Sequence, residues 1–367
     1  MNHNKLGFAA IAICLFFTIS AGCFSQQPDK ESYKSLSVFP ILMYDTDIGL
    51  GYGGKAKFVD YLRHKESFDL ILFNSSKGER WYVFTFSILD PEIRQAKKYD
   101  LSFDFKWEYD KYLKYLFYGI GAGSKKDDVT EYTFTTNSLQ LTFSRGFTPK
   151  FVLEASYSIR FLKYSGIAQD RPFTGILNQE DSEFSPFLSL VLRYDTSDSQ
   201  IHPTRGLRLL FQTDAAAAAL LNKHADFVRM TIDFRKFLLV FGEKDVLAFR
   251  ALVQGVSGSS IPLADYSVLG GGGIMNAMRG YKLNRFADKG KFLFNAEYRF
   301  PIIWRLGGNL FVDTGTVWPA LGEIHFKHIA FDYGWGLRFY LPDFVVRFDM
   351  GFSKEGIGIY FNFGHIF

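Results

Sequence analysis

Along residues 292–367, apolar and aromatic positions alternate with polar, charged or glycine positions in successive short segments. Phe292, Phe294, Ala296, Tyr298 and Phe300 share one parity, and Asn295, Glu297 and Arg299 the other. Side chains change face at every residue of an extended strand, so the two parities become two faces. Phe331, Tyr333, Trp335, Leu337, Phe339 and Leu341 oppose Asp332, Gly334, Gly336 and Arg338 in the same way. Val346, Phe348, Met350 and Phe352 oppose Arg347, Asp349 and Gly351. The pattern extends back to about Val38, with strands centred on Ile41, Gly53, Ile71, Val83, Phe103, Leu139, Ala155, Val191, Leu209, Ile232, Ala248, Ala296, Val312, Trp335, Arg347 and Phe361.

A soluble β-sandwich alternates too, because alternation does not say which face meets water. Three features favour a membrane. Lys5, the apolar run 6–17 and the small residues Ser20, Ala21 and Gly22 read as a secretory leader. No later stretch supplies the roughly 20 apolar residues of a spanning helix. Aromatics reach 18%, with 41 Phe and 20 Tyr, as an outer apolar band with interfacial girdles requires. The expected fold is all-β, a 16-stranded antiparallel transmembrane β-barrel. Its parts are a signal peptide at 1–25, a short periplasmic linker at 26–37 and the barrel at 38–367. An even strand count leaves both termini in the periplasm of a bacterial outer-membrane protein. Residues 146–150 and 341–344 are then inner turns, and 109–130, 164–186 and 257–290 long outer loops. Residues 215–221 form an alanine-rich run, either a short interfacial helix or the extended top of a strand.

A net charge of +4, scattered along the chain, gives no reason to expect nucleic acid. Both cysteines, Cys14 and Cys23, fall in or beside the leader, so the barrel carries neither disulfide nor thiolate metal site. Residues 20–23 also partly resemble a lipoprotein processing site. No cofactor or metal is expected: His325 and His328 lack a third ligand, residues 270–273 lack the rest of a phosphate loop, and Asp45, Asp47 and Gly49 offer too few oxygens for calcium. His365, expected to face outward beside Phe363 and Phe367, has no serine to pair with, so no enzyme is expected.

Residues 278–281, Met278-Arg279-Gly280-Tyr281, follow a glycine-rich run in the connection after the eleventh strand. Phe311-Val312-Asp313-Thr314-Gly315 lies on the thirteenth strand, Asp195-Thr196 with Pro203-Thr204-Arg205-Gly206 on the turn after the eighth, and Phe361 to Phe367 ends the chain. In these motifs the chain resembles the outer-membrane assembly and translocation barrels that include BamA, TamA and the two-partner secretion transporters, also called bacterial surface antigens. The likeness covers the last half well. The first half matches in strand pattern, with Tyr118-Gly119-Ile120-Gly121 as a weaker echo.

The resemblance implies a long outer loop folded into the lumen, bearing Met278, Arg279, Gly280 and Tyr281, with Glu297, Asp313 and Gly315 as its partners on the wall. It implies that Phe361, Phe363, Gly364 and Phe367 form the assembly signal and one side of the seam between first and last strands. Physically, a guanidinium in the lumen wants a planar carboxylate partner, and the alternation turns Glu297 and Asp313 inward. The function implied is insertion or translocation of protein or lipid. The alternative is a passive or plugged channel with a structural or surface-antigen role. Partners would be outer-membrane lipids, the barrel assembly machinery during biogenesis, and a translocated client or a periplasmic protein, since the chain reads as a barrel-only member without POTRA domains. The register also predicts that Gly336→Ser, facing the lumen, is mild.

Overall fold

In the computed structural model, residues 33–367 are described, apart from 168–182, 223–224, 243, 321–322, 324–327 and 343. The leader and most of the linker therefore lie outside the described residues, as do Cys23 and His325.

Sixteen antiparallel strands close into a barrel. They are β1 (Ser35–Asp45), β2 (Gly49–Val59), β3 (Ser67–Ser75), β4 (Arg80–Ile88), β5 (Tyr99–Phe117), β6 (Thr130–Thr148), β7 (Phe151–Ser165), β9 (Phe187–Asp195), β10 (Gly206–Ala216), β11 (Asp226–Leu239), β12 (Val246–Ser260), β15 (Gly290–Ile303), β16 (Leu306–Trp318), β17 (Ala330–Tyr340), β18 (Val345–Ser353) and β19 (Gly356–Phe363). A two-residue strand β8 (Glu183–Phe184) pairs with β7 just ahead of β9, and β13 (Ser267–Leu269) pairs with β14 (Phe286–Asp288) inside the β12–β15 connection. Each of the sixteen expected centres lies in a different wall strand.

The two faces separate as the alternation requires. On β17, Phe331, Tyr333, Trp335 and Leu337 are exposed while Asp332 and Arg338 are buried; on β15, Asn295, Glu297 and Arg299 are buried. In a closed barrel the exposed apolar face is the outside, and the buried polar face is the interior.

Three sequence expectations change. The connection expected at 109–130 is shorter, because β5 runs on to Phe117 and β6 starts at Thr130; the charges Asp110, Lys111 and Lys114 sit within β5, where inspection of hydropathy alone ends a strand. The alanine run is divided, β10 reaching Ala216 and a 3-10 turn covering Ala218–Leu220. The last expectation concerns the C-terminus. β19 ends at Phe363 and Gly364 takes φ +76°, a conformation open to glycine. The chain then turns away from the wall, so Phe367 is not outward: it is buried with Ile366 against Phe237, Val246, Ala248 and Ala277. His365 packs beside Tyr340 instead of joining an outer girdle.

The seam is short. β1 and β19 pair only at Tyr44 with Phe361 and Asp45 with Tyr360, whereas β18 and β19 pair from Val346–Phe363 to Ser353–Gly356. Beyond the paired residues, Thr46 bonds both backbone groups of Ile359, its N and Oγ1 donating to the carbonyl at 3.1 and 3.0 Å. Gly364 turns β19 away before it can pair with the first half of β1.

Candidate functional site: an arginine-bearing loop on the inner wall

The β12–β15 connection is ordered as a small hairpin. β13 and β14 pair from Ser267–Asp288 to Leu269–Phe286, and a bridge joins Gly271 to Met278 nearer the tip. Gly270 and Gly271 have φ of +124° and +85°, which lets the backbone turn within this narrow hairpin. A Cβ at Gly272 would lie 2.5 Å from the Tyr360 ring, so residues 270–273 are a close-packing device.

Arg279, just past this bridge on the leaving limb, is fully buried among three carboxylates. Its Nε and Nη2 donate to Asp313 Oδ2 and Oδ1, both at 2.8 Å, and Nη1 donates to Glu297 Oε1 at 2.6 Å and Asp349 Oδ2 at 3.2 Å. Its Cζ lies 3.4 Å from the centroid of the Phe311 ring, a cation–π stack on the same wall. Asn295 links the elements, donating to Asp313 Oδ1 at 2.8 Å and to the Ala277 carbonyl at 2.9 Å.

The other tetrad residues pack the loop down. Met278 and Tyr281 join Leu252, Leu269, Phe286, Leu293, Val317 and Ala330 in one apolar cluster. A Cβ on Gly280 would meet Asp332 Cβ and the Phe352 carbonyl carbon at 2.7 Å; one on Gly315 would meet Leu269 Cδ1 at 2.8 Å. The Gly280 carbonyl accepts from Ser353 Oγ at 2.7 Å.

Much of this fit uses residues that the sequence motifs did not single out. Asp349 is the third carboxylate. Gly351 and Gly358 form a slot for the loop backbone: a Cβ on Gly351 would lie 2.5 Å from the Arg279 carbonyl carbon, and one on Gly358 would overlap the Arg279 carbonyl oxygen. Lys291 donates to the Met275 carbonyl at 2.8 Å, and Arg250, itself paired with Asp233, donates to the Ile274 carbonyl. Their signal was the inward parity of charged and glycine positions on the strands that flank the loop.

Two further contacts hold the limbs of the hairpin. Asp265 accepts from Arg160 Nη2 at 2.8 Å and Arg229 Nη1 at 3.0 Å, tying the entering limb to β7 and β11. Arg285 donates to Glu355 at 2.6 and 3.0 Å and to Ser124 Oγ at 2.8 Å, tying the leaving limb to the β18–β19 and β5–β6 connections. There the Tyr118–Gly121 echo lies against the hairpin, Gly121 N donating to the Ala287 carbonyl at 2.8 Å.

At the opposite end, the turn after β9 is stapled through Asp198, which accepts from Thr204 N at 2.8 Å and Arg205 N at 3.1 Å. Burial works to raise its pKa, but hydrogen bonds from Thr204 and Arg205 prevail and hold it below the usual carboxylate value.

The closed barrel, with apolar side chains outside and a polar interior, defines a transmembrane β-barrel of the outer-membrane type. Residues 69–367 match the Omp85 superfamily domain, and the chain belongs to that family. No curated protein matches by sequence. Among solved structures it is similar to BamA from Haemophilus ducreyi lacking POTRA domains 1–3, with TM-score 0.65 and 14% identity over 97% of this chain and 78% of that one. It is also similar to CdiB from Escherichia coli (TM-score 0.64, 11% identity, 92% of this chain and 63% of that one) and CdiB from Acinetobacter baumannii (0.56, 13%, 90% and 59%). The chain thus spans about three fifths of each CdiB chain. At these identities the likeness is one of fold.

Proposed function

We propose that this chain inserts or translocates macromolecules at the bacterial outer membrane, opening at the β1–β19 seam while the Arg279 loop lies pinned in the lumen. The short seam carries the reading. Two register pairs and the Thr46 bonds close it, against eight register pairs between β18 and β19, so separating β1 from β19 breaks far less than separating any neighbouring pair. The freed edge of β1 would offer unpaired backbone groups to an incoming strand. Both termini would face the periplasm, where a separate protein could deliver the client, and the assembly machinery would recognise Phe361, Phe363, Gly364 and Phe367 during biogenesis.

The test is a reversible lock. Tyr44→Cys with Phe361→Cys places two thiols at paired seam positions. Proteoliposomes carrying the protein should speed insertion of a urea-unfolded eight-stranded outer-membrane barrel relative to empty vesicles. The oxidised double variant should lose that gain and recover it with reductant. Rates equal to those of empty vesicles, or indifference to the lock, would sink the proposal.

The three anchors at Asp265, Arg279 and Arg285 favour a second reading, a plugged channel. Deleting residues 257–290 would then produce a wide, steady conductance in planar bilayers, and persistently low conductance would exclude it.

A further inference from the structure

Beyond the carboxylates that hold Arg279, the inner wall carries a row of cations with too few acceptors. Arg299 on β15 is the register partner of Asn309 on β16, and Arg338 on β17 is the register partner of Arg347 on β18. Asn309 in turn faces Gly336, two residues from Arg338 on the same face. All four side chains are buried, and they lie toward the end of the barrel where the chain terminates. His365 is within electrostatic reach of all three arginines.

The acceptors can be followed atom by atom. Glu297 takes Arg279 at 2.6 Å and Arg299 Nε at 2.8 Å, with Arg338 Nη2 3.6 Å away. Asp349 takes Arg338 Nη1 at 2.6 Å and Arg279 at 3.2 Å, with Arg347 Nε 3.5 Å away. Asp313 is occupied by Arg279 and Asn295. Asp332 is six residues from Arg338 along β17, roughly 20 Å in an extended strand, too far to help. Glu297 and Asp349, each shared with Arg279, and the terminal carboxylate of Phe367 are therefore the acceptors left for Arg299, Arg338 and Arg347. Arg299 Nη1, both side-chain polar atoms of Asn309, Arg338 Nε and Nη2, Arg347 Nε and Nη1, and His365 Nδ1 have no hydrogen-bond partner. Arg299 Nη2 donates to a terminal carboxylate oxygen of Phe367 at 2.9 Å, so the turned-in C-terminus closes one side of the row.

Directly opposed like charges destabilise a strand pair, and each buried donor left without an acceptor costs more than a hydrogen bond returns. We propose that Arg299, Asn309, Arg338 and Arg347 form a binding site for a phosphate-type oxyanion. Guanidinium forks match the oxygens of such an ion in pairs, and an ion with three or four oxygens suits this many free donors better than one carboxylate does. The source is a free phosphate ion or the phosphate of a lipid headgroup.

Inorganic phosphate is the probe for the folded protein in detergent, its fold checked by heat-modifiable migration. Wild type should bind it saturably in calorimetry. Arg347→Gln should bind roughly tenfold more weakly or worse, as expected on losing charge-assisted bonds, while Arg145→Gln, on the exposed side, should not change. If Arg347→Gln does not fold, Asn309→Asp decides: it supplies the missing acceptor, so it should raise the melting temperature and abolish phosphate binding. Native mass spectrometry on protein extracted from membranes separates the sources, since a phosphate-bearing lipid displaced by inorganic phosphate identifies a headgroup, and phosphate binding without retained lipid identifies the free ion. Absence of both phosphate binding and retained phosphate-bearing lipid in folded wild type, or equal binding in Arg347→Gln and Asn309→Asp, means that water alone fills the row and overturns the proposal.

Discussion

Arg279 meets Asp313 fork to fork, two N–H donors reaching two carboxylate oxygens at 2.8 Å, while the guanidinium lies flat on Phe311. Planar bidentate pairing and ring stacking are both specific to arginine, so a lysine at this place keeps the charge and loses the geometry.

Removing the guanidinium leaves Asp313 with Asn295 but no cation, while Glu297 and Asp349 keep Arg299 and Arg338, and breaking a buried pair from one side costs about 3–5 kcal/mol. Arg279→Ala is therefore expected to leave the strand signal in circular dichroism intact and to expose the hairpin to added protease. Arg279→Lys should restore little of the protection. Protease resistance unchanged in both variants would show that Asp265 and Arg285 hold the loop without the pin.

The slot makes a second prediction. Gly351 and Gly358 admit the Arg279 backbone, whereas Gly356 on β19 has open space where a Cβ would go. Gly351→Ala and Gly358→Ala should loosen the loop as Arg279→Ala does, although neither removes a charge. Gly356→Ala should be neutral in the same protease assay. Equal behaviour of the three variants would mean that the hairpin does not sit as closely on β18 and β19 as these contacts require.

A third concerns the two faces of β17. Trp335 points outward, so Trp335→Lys should cost about 2–4 kcal/mol if it lies near the bilayer midplane. Gly336 points inward, which by parity alone predicts that Gly336→Ser is mild. The structure reverses that expectation, because a Cβ there would overlap Asp349 Oδ1 and the Phe348 carbonyl oxygen and lie 2.8 Å from Arg338 Nη1. Overpacking of this kind costs about 1–3 kcal/mol. Urea-unfolding midpoints should fall for both variants, and a midpoint unchanged in Gly336→Ser would place its side chain elsewhere.

Residues that act through their own strand were the legible ones. Period-two alternation located all sixteen strands and gave Glu297 and Asp313 the parity of the buried face, since parity is local information. Asp349, Gly351 and Gly358 had the right parity as well, but nothing local says that a loop some 70 residues earlier will lie against them. Strand lengths were misjudged where charges run through β5, because a long strand projecting beyond an apolar band need not be apolar itself. The C-terminus was misjudged because one glycine φ angle outweighs the alternation: with Gly364 at φ +76°, the parity of His365 and Phe367 no longer indicates a face.

That turn gives the last prediction. Phe367 shares one buried apolar cluster with Ile366, Phe237, Val246, Ala248 and Ala277, and its terminal carboxylate accepts from Arg299 Nη2 at 2.9 Å. Ala277 belongs to the hairpin, two residues before Arg279, so the end of the chain shares a buried cluster with the element that Asp313 holds. Truncating a buried phenylalanine to alanine costs about 3–5 kcal/mol. Phe367→Ala should therefore lower the unfolding midpoint and also increase protease access near residue 277, an effect that an outward-facing terminal aromatic would not produce. Phe363→Ala, whose ring packs on Phe344 near the turn between β17 and β18, should leave that access unchanged. If Phe363→Ala loosens the hairpin as much as Phe367→Ala does, the terminal segment is not turned inward at Gly364.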